Sequence, residues 1–347
     1  MNSPSFVARW DLDKTYLRTD FDTLRDLIRT AIERPDQKRT VPGAAALLRE
    51  LGRAGVETHI LSGSPEQLRG RIVEKLKLDG VRYASLTLKP NLQNLLRLRF
   101  RALRGQLGYK LPALLQGRCE LLTQRVADGF VHEVLLGDDA EADAFVYCLY
   151  SDVCGGVVGP ELLSEVLTRG GAYEDSIRDA RRFASYIEKG PIVERVLIHL
   201  DRQSSPSDFA VFGARVVPFY NYLQAALILF EDGRLSPEAV LAIAADLVVV
   251  HNFERTALSR SYLDLVRRGH VRGNRTAELE RALSDRLSAP GTAAGSELVG
   301  MIETIVQSPR SAGPTGSLAR SETVEIDYLA LVLAHNPRHK KKRQSRR

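Results

Sequence analysis

The chain has 347 residues, 44% of them hydrophobic and 27% charged, a balance that suits a folded globular protein of two domains, or one large domain with an extension. No stretch approaches the eighteen or more uninterrupted apolar residues of a membrane span, and MNSPSFVARWDLD lacks the apolar core of a signal peptide. The net charge of +6 is more than accounted for by seven cations in the last ten residues, RHKKKRQSRR, which leaves residues 1–337 at about −1. The body is therefore electrostatically ordinary, and nucleic-acid binding through a basic domain is not expected. Three cysteines, Cys119, Cys148 and Cys154, show neither CxxC nor zinc spacing and fit a reducing cytoplasm.

Residues 5–158 alternate short apolar runs with amphipathic stretches. SFVARWDLD, GVETHILSG and GFVHEVLLGDD are predicted strands, each ending in acids or hydroxyls, and FVYCLYSDVCG is read as a further one. DTLRDLIRTAIE, PGAAALLRELGRAG and PEQLRGRIVEKLKL are predicted helices, two of them opened by proline. This alternation predicts an α/β unit with a parallel sheet flanked by helices and ligands outside the strands' carboxyl ends. Beyond Gly159 the pattern turns helical: PELLSEVLTRGGAYEDSIRDARRFASYIEKG, PIVERVLIHLDRQ, VPFYNYLQAALILFEDG and SPEAVLAIAADLVVVHNFERTALSRSYLDLVRRG all have helix-length apolar periodicity. The expected organisation is a catalytic-type domain over 1–158, an all-helical region over 159–290, a linker-like segment with short helices over 291–337, and a basic tail over 338–347.

Chemistry concentrates at the strand ends. Asp11 and Asp13, in DLDKT, put two carboxylates directly after an apolar strand, where one can attack phosphorus while the other gives and takes protons. Ser62, in HILSGSP, ends another strand and can donate to a phosphoryl oxygen; equally, Ser62 and Ser64 can cap a helix starting at Pro65. LLGDDAEAD adds Asp138, Asp139 and Asp143, oxygen ligands suited to a hard divalent cation or, alternatively, ordinary acids at a helix start. His59, His132, His251 and His335 lack zinc spacing, His132-Glu133 reads as structural and Trp10 as packing; no Walker or GxGxxG sequence is present.

Taken in order, DLDKT, LSGSP, a lysine and GDDAEAD resemble the four motifs of the haloacid dehalogenase superfamily of aspartyl-phosphate phosphatases, over about residues 5–158. The resemblance implies a Rossmann-like domain, with Asp11 as the nucleophile, Asp13 as general acid and then base, and Ser62 holding the phosphoryl group. It implies a Mg²⁺ site of Asp11, the backbone carbonyl of Asp13, and Asp138 with Asp139 or Asp143. The lysine is Lys110 in GYKLPALL, with Lys89 in TLKPN as its competitor; it neutralises charge between nucleophile and phosphate.

Within the superfamily, LSGSP followed by a basic segment, YKL and the Asp138–Asp143 spacing is similar to the actin-patch type of phosphatidate phosphatase, which implies a lipid phosphate as substrate. The extra acid at Asp139 departs from that pattern. Residues 92–104, LQNLLRLRFRALR, mix leucines with four arginines, a composition suited to an anionic membrane surface, to a phosphate-steering lid, or to a packed helix with a solvated Arg face. Residues 16–41 leave room for a minimal cap only. The expected function is phosphomonoester hydrolysis by a cytoplasmic protein touching membranes peripherally. The alternative is a non-catalytic protein of the same fold that uses the basic segment and tail on membrane or nucleic acid.

Overall fold

The computed structural model describes residues 6–17, 40–89, 103–123, 131–288, 298–308 and 324–334. Strands β1 (Phe6–Asp11), β2 (Glu57–Pro65), β3 (Ser85–Lys89), β4 (His132–Asp138), β5 (Val193–His199) and β6 (Val216–Phe219) form one sheet in the order β3-β2-β1-β4-β5-β6. Every neighbouring pair is parallel. The order reverses between β1 and β4, so the crevice outside their carboxyl ends lies at the switch point where such sheets bind ligands.

Helices cover both faces, as a parallel sheet requires. In chain order they are α1 (Ala44–Arg53), α2 (Arg69–Leu78), α3 (Leu103–Thr123), α4 (Asp143–Gly155), α5 (Pro160–Arg169), α6 (Glu174–Tyr186), α7 (Tyr222–Glu231), α8 (Pro237–Ala245), α9 (Arg255–Arg267), α10 (Thr276–Ser288), α11 (Val299–Val306) and α12 (Tyr328–Ala334). Alternate residues of the strands feed two cores. Ala8 and Trp10 of β1, Val134 and Leu136 of β4 and Leu197 of β5 pack with α1, α2 and α7–α11. Leu135 of β4 and Val196 and Ile198 of β5 pack instead with α3–α6 and α12. Helix α7 is buried from Tyr222 to Phe230 and apolar there apart from Gln224 and the Tyr222 hydroxyl, with Asn221 capping its start by accepting from the Gln224 N–H (3.2 Å).

Two readings of the sequence are corrected here. FVYCLYSDVCG is helix α4, not a strand: a continuous apolar run bears no periodicity that separates a buried helix from a buried strand. PIVERVLIHLDRQ contains strand β5, and VPFYNYLQAALILFEDG opens with the end of β6 before α7. The β-branched Val193, Val196 and Ile198 suit the pleated position, and all seven residues of β5 are buried. The region after residue 158 is therefore not all-helical, because it supplies two strands to the same sheet. Its remaining described elements are mostly helical, including α11 and α12 within 291–337; in α12, Tyr328 and Val332 are buried against the second core. The predicted helix DTLRDLIRTAIE, nearly all of the basic segment 92–104 and the basic tail lie outside the described residues. Among the described residues, no helix is long and apolar enough to cross a membrane.

Candidate active site

Strand β1 ends at Asp11, and the chain turns at once. The Tyr16 and Leu17 N–H groups both donate to the Leu12 carbonyl (3.0 and 2.9 Å), and Lys14, at φ +60°, donates its N–H to the Leu17 carbonyl (2.8 Å). The other half of the sheet braces this turn. The His199 ring Nδ1 lies 3.3 Å from the Lys14 carbonyl oxygen, and the Tyr222 hydroxyl donates to the Thr15 carbonyl. The Tyr222 ring also stacks on Trp10, with centroids 5.8 Å apart, which is the packing role expected of Trp10.

The turn presents Asp13 to β2. The Ser62 hydroxyl donates to Asp13 Oδ2 at 2.8 Å, and the Ser64 hydroxyl reaches the same oxygen at 3.2 Å. Both serines sit where the β2–β3 register shifts between Leu61 and Pro65, an irregularity that re-aims side chains at a strand end. The Ser64 N–H donates to Ser62 Oγ (2.9 Å), and Tyr109 of α3 donates to the Ser62 carbonyl (2.9 Å). The single 3₁₀ turn that follows at Glu66–Leu68 has no side-chain cap, so neither serine plays the capping part open to it.

Asp138 ends β4 and Asp143 begins α4. Asp138 Oδ1 accepts from the Ala140 and Glu141 N–H groups (2.6 and 3.0 Å), while Asp143 Oδ2 accepts from the Asp138 N–H (3.1 Å). Lys110, fully buried on α3, brings its ammonium to Asp143 Oδ1 (2.5 Å), Asp11 Oδ1 (2.8 Å) and Glu141 Oε2 (2.8 Å). Carboxylate oxygens of Asp11, Asp138 and Asp143 all lie within 4.8 Å of one another, the one such group among the described residues.

One ammonium thus faces five acids: Asp11, Asp13, Asp138, Glu141 and Asp143. Burial pushes the Asp11 and Asp138 carboxyls well above the ordinary carboxylate range. For Asp11 the Lys110 charge opposes this, and for Asp138 the neighbouring Asp143 adds to it. Burial raises Asp13 and Asp143 as well. Burial alone would lower Lys110, but Asp11, Asp143 and Glu141 outweigh it and hold the ammonium well above its usual value. Asp11 Oδ2 and Asp138 Oδ2 are buried without a hydrogen-bond partner. Unpartnered carboxylate oxygens in an excess of negative charge are what a hard cation satisfies, so Asp11, Asp138 and Asp143 can hold a metal ion.

Six of the residues expected from the sequence therefore meet at one point: Asp11, Asp13, Ser62, Lys110, Asp138 and Asp143. Asp139 does not join them. Its carboxylate points to the loop after β5, where Oδ1 accepts from the Arg202 N–H (2.8 Å) and Oδ2 from the Ser204 N–H (3.0 Å). Of the two alternatives, Asp143 is the one whose carboxylate groups with Asp11 and Asp138, while both Asp139 oxygens accept from backbone N–H groups. Lys89 ends β3 with its ammonium 5.8 Å from the Tyr109 ring centroid, and Lys110 is the lysine that contacts Asp11. Lys110 lies within α3.

Glu141 and its partner Gln106, whose Nε2 donates to Oε2 at 2.5 Å, were not anticipated; the signal available was an acid three residues after Asp138. Glu133 of His132-Glu133 proves structural: it accepts from Arg9 Nε (2.6 Å), Arg118 Nη1 (3.0 Å) and the Tyr150 hydroxyl (2.8 Å), away from the cluster. Comparison with protein-family models, with curated proteins and with solved structures finds no match to this chain.

Proposed function

We propose that the protein is a phosphatase of the haloacid dehalogenase type, hydrolysing a phosphomonoester through an aspartyl-phosphate with Mg²⁺ held by Asp11, Asp138 and Asp143. The observation that supports this reading is the convergence on Asp11: Lys110 contacts one of its oxygens while the other is buried and unpartnered beside the unpartnered oxygen of Asp138. Mg²⁺ would supply charge neutralisation between these carboxylates and the phosphoryl oxygens.

In this scheme an Asp11 oxygen attacks phosphorus and the bond to the leaving oxygen breaks, with the proton that this oxygen needs coming from Asp13. Burial already biases Asp13 toward its protonated form, as a general acid requires. In the second step Asp13 takes a proton from water, the water oxygen attacks phosphorus, and the Asp11 carboxylate leaves with release of phosphate. Ser62 and Ser64 orient Asp13 by their hydroxyls and can turn to phosphoryl oxygens. Lys110 holds Asp11 and offsets the charge that arrives with the substrate.

A phosphatidate-like lipid is the substrate class proposed, on the resemblance noted above. The test is phosphate release by wild type and Asp11→Asn, with and without Mg²⁺, on an aryl phosphate, on phosphatidate in mixed micelles, and on sugar and nucleotide phosphates. The reading expects Mg²⁺-dependent release that Asp11→Asn abolishes without loss of fold. No release on any substrate from folded, metal-binding protein would overturn it in favour of a binding protein.

A further inference from the structure

Lys110 donates to Glu141 Oε2 (2.8 Å) and Asp143 Oδ1 (2.5 Å), and pairs with Asp11 Oδ1 at 2.8 Å without hydrogen-bond geometry. The ammonium is fully buried among these carboxylates, so a phosphoryl oxygen that takes over one of its hydrogen bonds displaces Glu141 or Asp143. Asp11 and Asp143 are not available for this. Their side chains are 1% and 0% exposed, Asp143 also accepts from the Asp138 backbone, and both serve the metal cluster. Glu141 differs on each count. Its side chain retains 14% exposure, it sits on the turn between β4 and α4, and it is not among the three carboxylates that converge for a metal. A single oxygen, Oε2, makes both of its polar contacts, to Lys110 and to Gln106.

We propose that Glu141 is a displaceable internal ligand of Lys110, occupying the ammonium contact that an incoming phosphate oxygen needs and so setting how tightly the site holds anions. The inference rests on the phosphatase reading above and adds a residue that governs specificity. While Glu141 is in place, its carboxylate fills the position and supplies the charge that a phosphate oxygen would bring. Its departure exposes the ammonium toward solvent, and Gln106, one helical turn before Lys110 on α3, stays behind as a neutral donor to whatever replaces it. Weakly bound oxyanions, including the product, are held loosely because each must compete with a tethered carboxylate. A substrate with further contacts along its leaving group wins that competition.

The experiment is calorimetric titration of inorganic phosphate into the Mg²⁺-loaded full chain, for wild type, Glu141→Gln and Glu141→Ala. Removing one like charge from the phosphate position predicts about tenfold tighter binding in both variants. In steady-state assays the same variants should lower KM and the inhibition constant for phosphate without raising kcat. Equal phosphate affinity in wild type and both variants, or weaker binding in the variants, would overturn the inference, the second result making Glu141 a residue that merely positions Lys110. If phosphate binds none of the three proteins although Mg²⁺ still raises their melting temperatures, the phosphatase reading falls and the inference with it. Failure of the inference alone leaves wild-type phosphate binding intact.

Discussion

Gly137 and Asp143 touch so closely that a Cβ on the glycine would lie 2.4 Å from Asp143 Oδ2 and 2.7 Å from Asp143 Cβ. The first turn of α4 thus rests directly on the last residues of β4. That contact lets Asp143 accept the Asp138 N–H while reaching Lys110 with its other oxygen. Gly137→Ala is expected to push Asp143 out of the cluster, at a cost of about 1–3 kcal/mol from overpacking. Denaturant unfolding would read the stability loss, and a Mg²⁺ titration of the same variant should show weakened binding.

Asp143 and Asp139 make opposite predictions despite lying four residues apart. At about a hundredfold excess over its dissociation constant, Mg²⁺ should stabilise wild type by about 2.7 kcal/mol. Asp143→Asn should lose most of that increment. Asp139→Asn should keep it, since the Asp139 carboxylate accepts only from backbone N–H groups. Melting curves with and without Mg²⁺ decide between the two acids.

Ser62 and Ser64 both donate to Asp13 Oδ2, but at 2.8 and 3.2 Å. A hydrogen bond to a charged group contributes about 1.5–3 kcal/mol. Ser62→Ala should therefore lower kcat by about 10–100-fold, and Ser64→Ala by less. The order of the two effects in a steady-state assay is the check.

Glu133 is the only acid in contact with Arg9 and Arg118 among the described hydrogen bonds, and all three side chains are almost fully buried. Glu133→Gln should destabilise the fold by about 3–5 kcal/mol, because two buried guanidinium groups then lose their counter-charge. Since Glu133 lies near the start of β4 and Asp138 at its end, Mg²⁺ binding by the folded variant should persist. Urea unfolding and the Mg²⁺ titration separate the two effects.

Two partly buried histidines set an acid dependence. Burial, reinforced by Arg9, lowers His59 from its ordinary value of 6.5 to about 4, and burial, reinforced by Arg268, lowers His270 to about 3. Below pH 6.5 the unfolded chain takes up protons that the folded state refuses, so this contribution to stability falls as pH drops from about 6.5 toward 4 and below. His59→Gln and His270→Gln should each flatten the decline between pH 7 and pH 4 in urea-unfolding midpoints. An unchanged slope in both would refute the assignment.

How much of this could be read from the chain divides by range. An apolar run ending in acids or hydroxyls is a local pattern, so the strands ending at Asp11, Ser62 and Asp138, and the parallel sheet they imply, were legible. The helices that open at a proline or close at a glycine were legible for the same reason. β5 and α4 were misread because fully buried segments are apolar on every side, and periodicity is the signal that burial on both faces erases.

The amino-acid sequence by itself determined which residue types stand at the strand ends, and with them the kind of chemistry they can do. The tertiary structure alone decided which of them meet. Lys110 over Lys89 and Asp143 over Asp139 follow from the seating of α3 and α4 on the sheet, and Glu141 joins through the turn that leads into α4. Those choices depend on contacts across 31 to 99 residues of chain and on which way a side chain leaves its turn, and no local propensity encodes either.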